Sequence, residues 1–306
     1  MTARHLGLPT VLLLAACAAP HPAWPADATA TLAAARAAGD ELVVFFALPG
    51  REQSDRMEQR ALRDPQVLAA LADGGFRSLW LDGFTHRRLH AEWLGGGEGM
   101  GVCVLDGDGA VYAARPGPQD PGELAAFVRL CTARRGDVRA ARARLQQDPG
   151  DPRRQHELAL LLLELGCRVG TEELLMRAAQ GGEVDAHHRL ARLFALDGHV
   201  QRARQWLRIA VPSPAARVTE GYVLFKERRH ADAAAQFEQA LALGDLGPDR
   251  DRARLYYGKA LHECGRDDEA RAVLEALRRD AAGTTFGAAA EHTLGHMQED
   301  GHDHSH

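Results

Sequence analysis

Apolar and polar positions change their rhythm near residue 132, and the two regimes predict different architectures. In the first, helical and strand periods alternate. An alanine-rich helical stretch ends at Gly39, and ELVVFFA (41–47) is a β-branched and aromatic run suited to a buried strand. Helical period runs from Ser54 to Asp73 with a break at Asp64-Pro65, because proline can restart a helix but not continue one. FRSLWLD sets Phe76, Ser78 and Trp80 against Leu79 and Leu81, a second strand, and THRRLHAEWL places Leu89 and Trp93 four apart on a helix. GVCVLD and AVYAAR predict a hairpin through Gly107-Asp108-Gly109. DPGELAAFVRLC then reads as a helix with Asp120 as N-cap and Pro121 in its first position.

Beyond the basic-flanked junction TARRGDVRA the period is helical throughout. In GDPRRQHELALLLLELG, Asp151 is the N-cap, Pro152 the first helical residue and Gly166 the stop, with Leu158, Leu161, Leu162 and Leu165 as the apolar stripe. Three later helix pairs share a layout. A small residue lies in the first helix (Ala191, Gly221, Gly258), an alanine in the second (Ala203, Ala233, Ala270), and a large apolar residue four further on (Leu207, Phe237, Leu274). From Ala203 to Ala233 is 30 residues and from Ala233 to Ala270 is 37.

The first region, with Met57, Asp64-Pro65 and Val67 following the strand VVFFA, resembles the thioredoxin-like proteins of bacterial envelopes. In those, the strand leads into a W-C-x-x-C turn, and a cis-proline precedes a later strand. Here Arg51 and Ser54 stand at the two cysteine positions, and Met100 in GEGMG at the proline position. Thiol–disulfide exchange needs a thiolate and a resolving partner, so the resemblance implies the scaffold without its redox chemistry. The turn ALPGREQSDRM is then expected to cap a helix and to offer charge to a partner. The second region, with a period near the ~34 residues of a tetratricopeptide unit, resembles that repeat family. The resemblance implies a protein- or peptide-binding concave face; packing of these helices on the first domain is the open alternative. The expected fold class is an α/β thioredoxin-like domain (30–132) followed by an all-α tetratricopeptide-like array of helical hairpins (137–297).

Before these come a short polar start and an apolar run, Leu6 to Ala16, too short to span a bilayer. Its end, Leu14-Ala15-Ala16-Cys17, resembles the lipobox of bacterial lipoproteins. That implies a signal peptide over 1–16, lipid on Cys17, and a Pro/Ala tether over 17–29. An ordinary secretory signal cut nearby is the alternative. Ala18 resembles the pattern of lipoproteins passed to an outer membrane, so an exported chain on its periplasmic face is expected.

Composition excludes more than it proposes. With 37 basic and 42 acidic residues, the net charge of -5 leaves no electrostatic footprint for nucleic acid. Cys103, Cys131, Cys167 and Cys264 lie far apart in no zinc or C-x-x-C spacing; each reads as a small buried hydrophobe, with a Cys103–Cys131 disulfide left open. A divergent thiol oxidoreductase using Cys103 or Cys131 is the enzymatic alternative. His302, His304 and His306 alternate in the terminus 298–306, read as a flexible His-rich tail able to capture a metal ion. His187 and His188, being adjacent, point different ways on a helix. Gly95 to Gly99 lacks the Lys-Ser/Thr of a phosphate loop. No catalytic residue and no cofactor is nominated, and the expected function is protein interaction or assembly.

Overall fold

The computed structural model describes residues 24, 27–95, 99–244 and 246–303. The chain divides into two compact units, Met1–Ala133 and Arg134–His306. In the first, α1 (Ala28–Ala38) begins at Asp27, whose carboxylate accepts from the Ala30 amide at 2.9 Å. There follow β1 (Leu42–Ala47), α2 (Glu52–Arg60), α3 (Pro65–Gly74), β2 (Arg77–Asp82), α4 (Arg87–Leu94), β3 (Gly101–Leu105), β4 (Val111–Pro116) and the start of α5 (Pro121–Gln147), which runs on into the second unit.

The four strands form one sheet in the order β2-β1-β3-β4. β1 is parallel to β2 and antiparallel to β3, and β4 is antiparallel to β3. Every residue of β1 is buried, as a continuous apolar run requires when helices cover both sheet faces. Leu42, Val44 and Phe46 share one face with Cys103 and with Trp93 and Leu94 of α4. Arg115 alternates with Ala114 of that face, and its guanidinium lies 4.9 Å from the Phe127 ring of α5 on the other side. Cys131 is close enough to feel the Arg115 charge, so it belongs to the α5 side, opposite Cys103. The two cysteines are not bonded to each other.

α5 starts as expected: Asp120 Oδ1 accepts from the Glu123 amide at 2.7 Å, and Glu123 Oε2 accepts from the Asp120 amide at 3.2 Å, a reciprocal cap. It does not stop at the junction. TARRGDVRA lies inside this helix, because alanine, arginine and leucine outweigh the ~1 kcal/mol cost of one glycine, Gly136.

The second unit contains α6 (Pro152–Glu164), α7 (Thr171–Gln180), α8 (Asp185–Leu196), α9 (Val200–Leu207), α10 (Pro214–Lys226) and α11 (His230–Ala242). A short 3-10 turn, Gly247–Asp249, leads to α12 (Arg250–Glu263), α13 (Asp267–Asp280) and α14 (Thr285–Asp303). Asp151 caps α6 as expected, accepting from the Arg153 amide at 2.9 Å. Successive helices pair as hairpins, and α8, α10, α12 and α14 also touch in succession, so one apolar core runs through the stack.

The hairpins close where one helix lacks a side chain. A Cβ on Gly221 of α10 would lie 2.9 Å from the Phe237 ring of α11, and one on Gly258 of α12 would lie 2.6 Å from Leu274 Cγ of α13. Ala191, Ala203, Ala233 and Ala270 are all fully buried. Leu207 departs from its equivalents: it ends the eight-residue α9 half-buried, whereas Phe237 and Leu274 are fully covered. The reading of 298–306 as a flexible tail is corrected for its first part, since α14 continues to Asp303. Ala290, Leu294 and Met297 are buried on one side of that helix, which anchors it.

Candidate functional site

The turn after β1 and the end of β1 are held by side chains that sequence reasoning treated as remnants. Ser54 is fully buried, and its Oγ accepts from the Leu48 amide at 2.8 Å. Asp55 Oδ1 accepts from the Gly50 amide at 3.2 Å. Arg51 occupies the N-cap of α2 without a side-chain cap bond, so the expected capping role falls to neither Arg51 nor Ser54. Met100 is buried, and its carbonyl accepts from the Gly117 amide at 2.9 Å. Gly99 is drawn against the turn, where a Cβ would lie 3.0 Å from the Leu48 side chain. Beside the turn, a cleft of about 350 Å³ opens between α2 and the start of α5, lined by Arg56, Met57, Arg60, Gln119 and Pro121. Its floor carries a contact from the Gln119 amide to Met57 Sδ at 3.3 Å.

Three of the described cysteines are buried, and two of them have thiols held well above neutral pH. Burial pushes the Cys131 thiol up to about 12 and the Cys167 thiol up to about 11. Cys103 is likewise fully buried. A thiol held that far above neutral pH supplies almost no thiolate.

The array presents a different surface. α8, α10 and α12 are the first helices of consecutive hairpins, and α10 and α12 meet through aromatic rings. Tyr222 and Tyr256 meet edge to face at 4.8 Å, Phe225 joins Tyr256 at 5.5 Å, and Phe237 stacks behind at 6.4 Å. Burial pushes the Tyr256 phenol up to about 12, its contact with Tyr222 adding to the effect, so it stays neutral. Over the rings lie two ammonium groups: Lys226 Nζ is 5.5 Å from the Tyr222 centroid and Lys259 Nζ 5.7 Å from that of Tyr256.

These are the only two lysines among the chain's 37 basic residues. Arginines of the array are commonly satisfied by carboxylates. Arg204 grips Glu227 with both arms, and Asp249, nearly buried, holds Arg189, Arg192 and Arg252 together. Neither lysine has a carboxylate partner among the described residues. Burial, with the nearby Lys226 charge, lowers the pKa of Lys259. The arrangement is an aromatic floor with two adjacent cations and no internal anion, which favours an incoming carboxylate.

Sequence reasoning found the small residues that let the helices approach but missed this lysine pair. The scarcity of lysine was the available signal. A second cleft of about 500 Å³ lies between α9 and α10, lined by Leu207, Arg208, Pro212, Arg217 and Val223. Ile209 and Val211 stand exposed in the connection beside it. Of the remaining candidates, Cys17, His304 and His306 lie outside the described residues. His302 falls in the last turn of α14, with its side chain outside the description. Among the described residues no group of three or more His, Cys, Asp or Glu is placed to hold a metal ion.

The stacked helical hairpins with small-to-large crossings resemble an array of tetratricopeptide repeats, and the family model for the tetratricopeptide repeat matches residues 224–292. Similar solved structures include the MamA protein, 20% identical over 50% of this chain and 89% of that one, TM-score 0.37. A second MamA structure is 18% identical over 61% and 99%, TM-score 0.36. A Podosopora anserina structure described as kinesin light chain nearly identical TPR-like repeats is 20% identical over 53% and 96%, TM-score 0.35. No curated protein matches the chain. Repeats of this type are protein-binding scaffolds, whose stacked helices create an extended concave surface.

Proposed function

We propose that the protein is a lipid-anchored envelope protein in which a redox-inactive thioredoxin-like domain accompanies a repeat array that binds an acidic segment of a protein partner. The observation that carries the binding role is the Lys226–Lys259 pair over Tyr222 and Tyr256, two cations without an internal anion on the shared face of consecutive first helices. The thioredoxin-like reading is supported by the β2-β1-β3-β4 order with β1 parallel to β2, and by helices on both faces. The loss of redox function is supported by Arg51 and Ser54 at the turn and by the buried thiols elsewhere. Attachment through Cys17, and a place on the periplasmic face of an outer membrane, rest on the LAAC string and Ala18.

The binding role is tested with two fluorescent peptides, one rich in glutamate and its glutamine counterpart, titrated with the full chain at low and moderate salt. The glutamate peptide is expected to bind, to weaken with salt, and to lose at least about tenfold in affinity to K226E/K259E. Equal binding of the glutamine peptide, or indifference to the charge reversal, refutes it. For the anchor, detergent-phase partitioning of the expressed protein is compared with that of Cys17→Ala. Identical partitioning of the two refutes lipidation.

A further inference from the structure

We propose that His292 and His296 on α14 form a chelating site for a divalent transition-metal ion of the zinc, copper and nickel class. Four residues apart on one helix, the two side chains share a face. Their rings lie 4.4 Å apart between centroids at 70°, and the two Nε2 atoms are 3.3 Å from each other. Two zinc–nitrogen bonds of ~2.05 Å meeting at a tetrahedral angle need nitrogens ~3.3 Å apart. The observed separation matches that requirement.

Access and rigidity agree with this assignment. Both histidines are exposed, so an ion reaches them without opening the fold. Thr293, Leu294 and Met297 are buried between and beside them, which holds that stretch of helix in place and pre-organises the pair. Neutral imidazole is a preferred ligand for these ions. With two ligands from the chain and the other positions left to water, the ion would be exchangeable, unlike the closed four-ligand sites that hold structural zinc. The site is distinct from His302, His304 and His306.

The experiment is calorimetric titration of zinc into the full chain carrying H302Q, H304Q and H306Q together, which removes tail ligands from the measurement. One zinc per chain is expected to remain, and adding H292Q or H296Q is expected to weaken it by about tenfold or more. Hydrogen exchange supplies a second readout: zinc should slow exchange of the α14 amides in the tail-substituted chain and not after H292Q. Helix content by circular dichroism checks that the exposed substitutions leave the fold intact. Absence of zinc binding once the tail is substituted, or binding unchanged by H292Q and H296Q, overturns the proposal.

Discussion

Replacing Gly258 by alanine tests whether the hairpins close for the reason given. In an exposed helix interior, glycine to alanine stabilises by about 1 kcal/mol. At Gly258 the new Cβ would stand 2.6 Å from Leu274 Cγ and 2.8 Å from Cδ2. Leu274 is fully buried and Cγ is close to its backbone, so it cannot swing away. Overpacking of this kind costs roughly 1–3 kcal/mol, and the contact puts Gly258→Ala toward the upper end, for a net loss of about 1–2 kcal/mol. Gly295 of α14 is the control, since nothing lies within 4 Å of its Cβ position; Gly295→Ala should gain about 1 kcal/mol. For a unit of this size the two variants should move the melting temperature in opposite directions by about 2–4 °C per kcal/mol. The assay is thermal and urea unfolding followed by far-ultraviolet circular dichroism. Leu274→Ala alone opens a cavity costing about 2–5 kcal/mol, but combined with Gly258→Ala it should lose less than the sum, because the new methyl occupies part of that space. A Gly258→Ala variant that melts at or above the parent, or strictly additive losses in the double variant, refutes the close-crossing argument.

Three further outcomes follow from the structure. His188 is buried with its imidazole held down at about 4 from 6.5, first by burial and then by the Arg189 charge. Within that window the unfolded chain binds a proton the folded chain does not. Stability is therefore full above about pH 6.5 and falls by ~3 kcal/mol on acidification to about pH 4. His156, also lowered by burial, adds in the same direction; His188→Leu should flatten the urea midpoint between neutral pH and pH ~5, and an unchanged slope would sink the assignment. Ser54→Ala leaves the Leu48 amide buried without its acceptor and should cost about 1–3 kcal/mol by denaturant unfolding; a neutral effect would make Ser54 a bystander. Alkylation mapped by mass spectrometry should label the half-exposed Cys264 before Cys103, Cys131 and Cys167, which react only on unfolding; early labelling of Cys131 would reopen a thiol mechanism.

Local rules were enough for the elements. Asp120-Pro121 and Asp151-Pro152 start helices, since a carboxylate cap and a proline without an amide donor both suit a first turn. Gly39 and Gly166 stop helices from the left-handed region, at φ 70° and 72°. The spacing of Gly221 and Gly258 from Phe237 and Leu274 made the hairpin crossings legible as well. The domain boundary read at TARRGDVRA coincides with the division at Ala133–Arg134; what misled was the helix expected to end before it, where α5 runs on to Gln147, and a terminus read as a tail where buried Leu294 and Met297 carry the helix onward.

The sequence by itself determined the order of helices and strands and most of their starts, that a strand-containing region precedes a helical array, and that the turn after β1 carries Arg51 and Ser54 and no cysteine. Those properties depend on neighbours within a few residues or on a regular period. The tertiary structure decided what long-range proximity controls. It set Ser54 against the Leu48 amide, put Cys103 and Cys131 on opposite faces of the sheet, and gathered Arg189, Arg192 and Arg252 onto Asp249. It also brought Lys226 and Lys259, 33 positions apart in the chain, onto one aromatic floor. No local pattern encodes that meeting, because it arises only when consecutive hairpins stack and align their first helices.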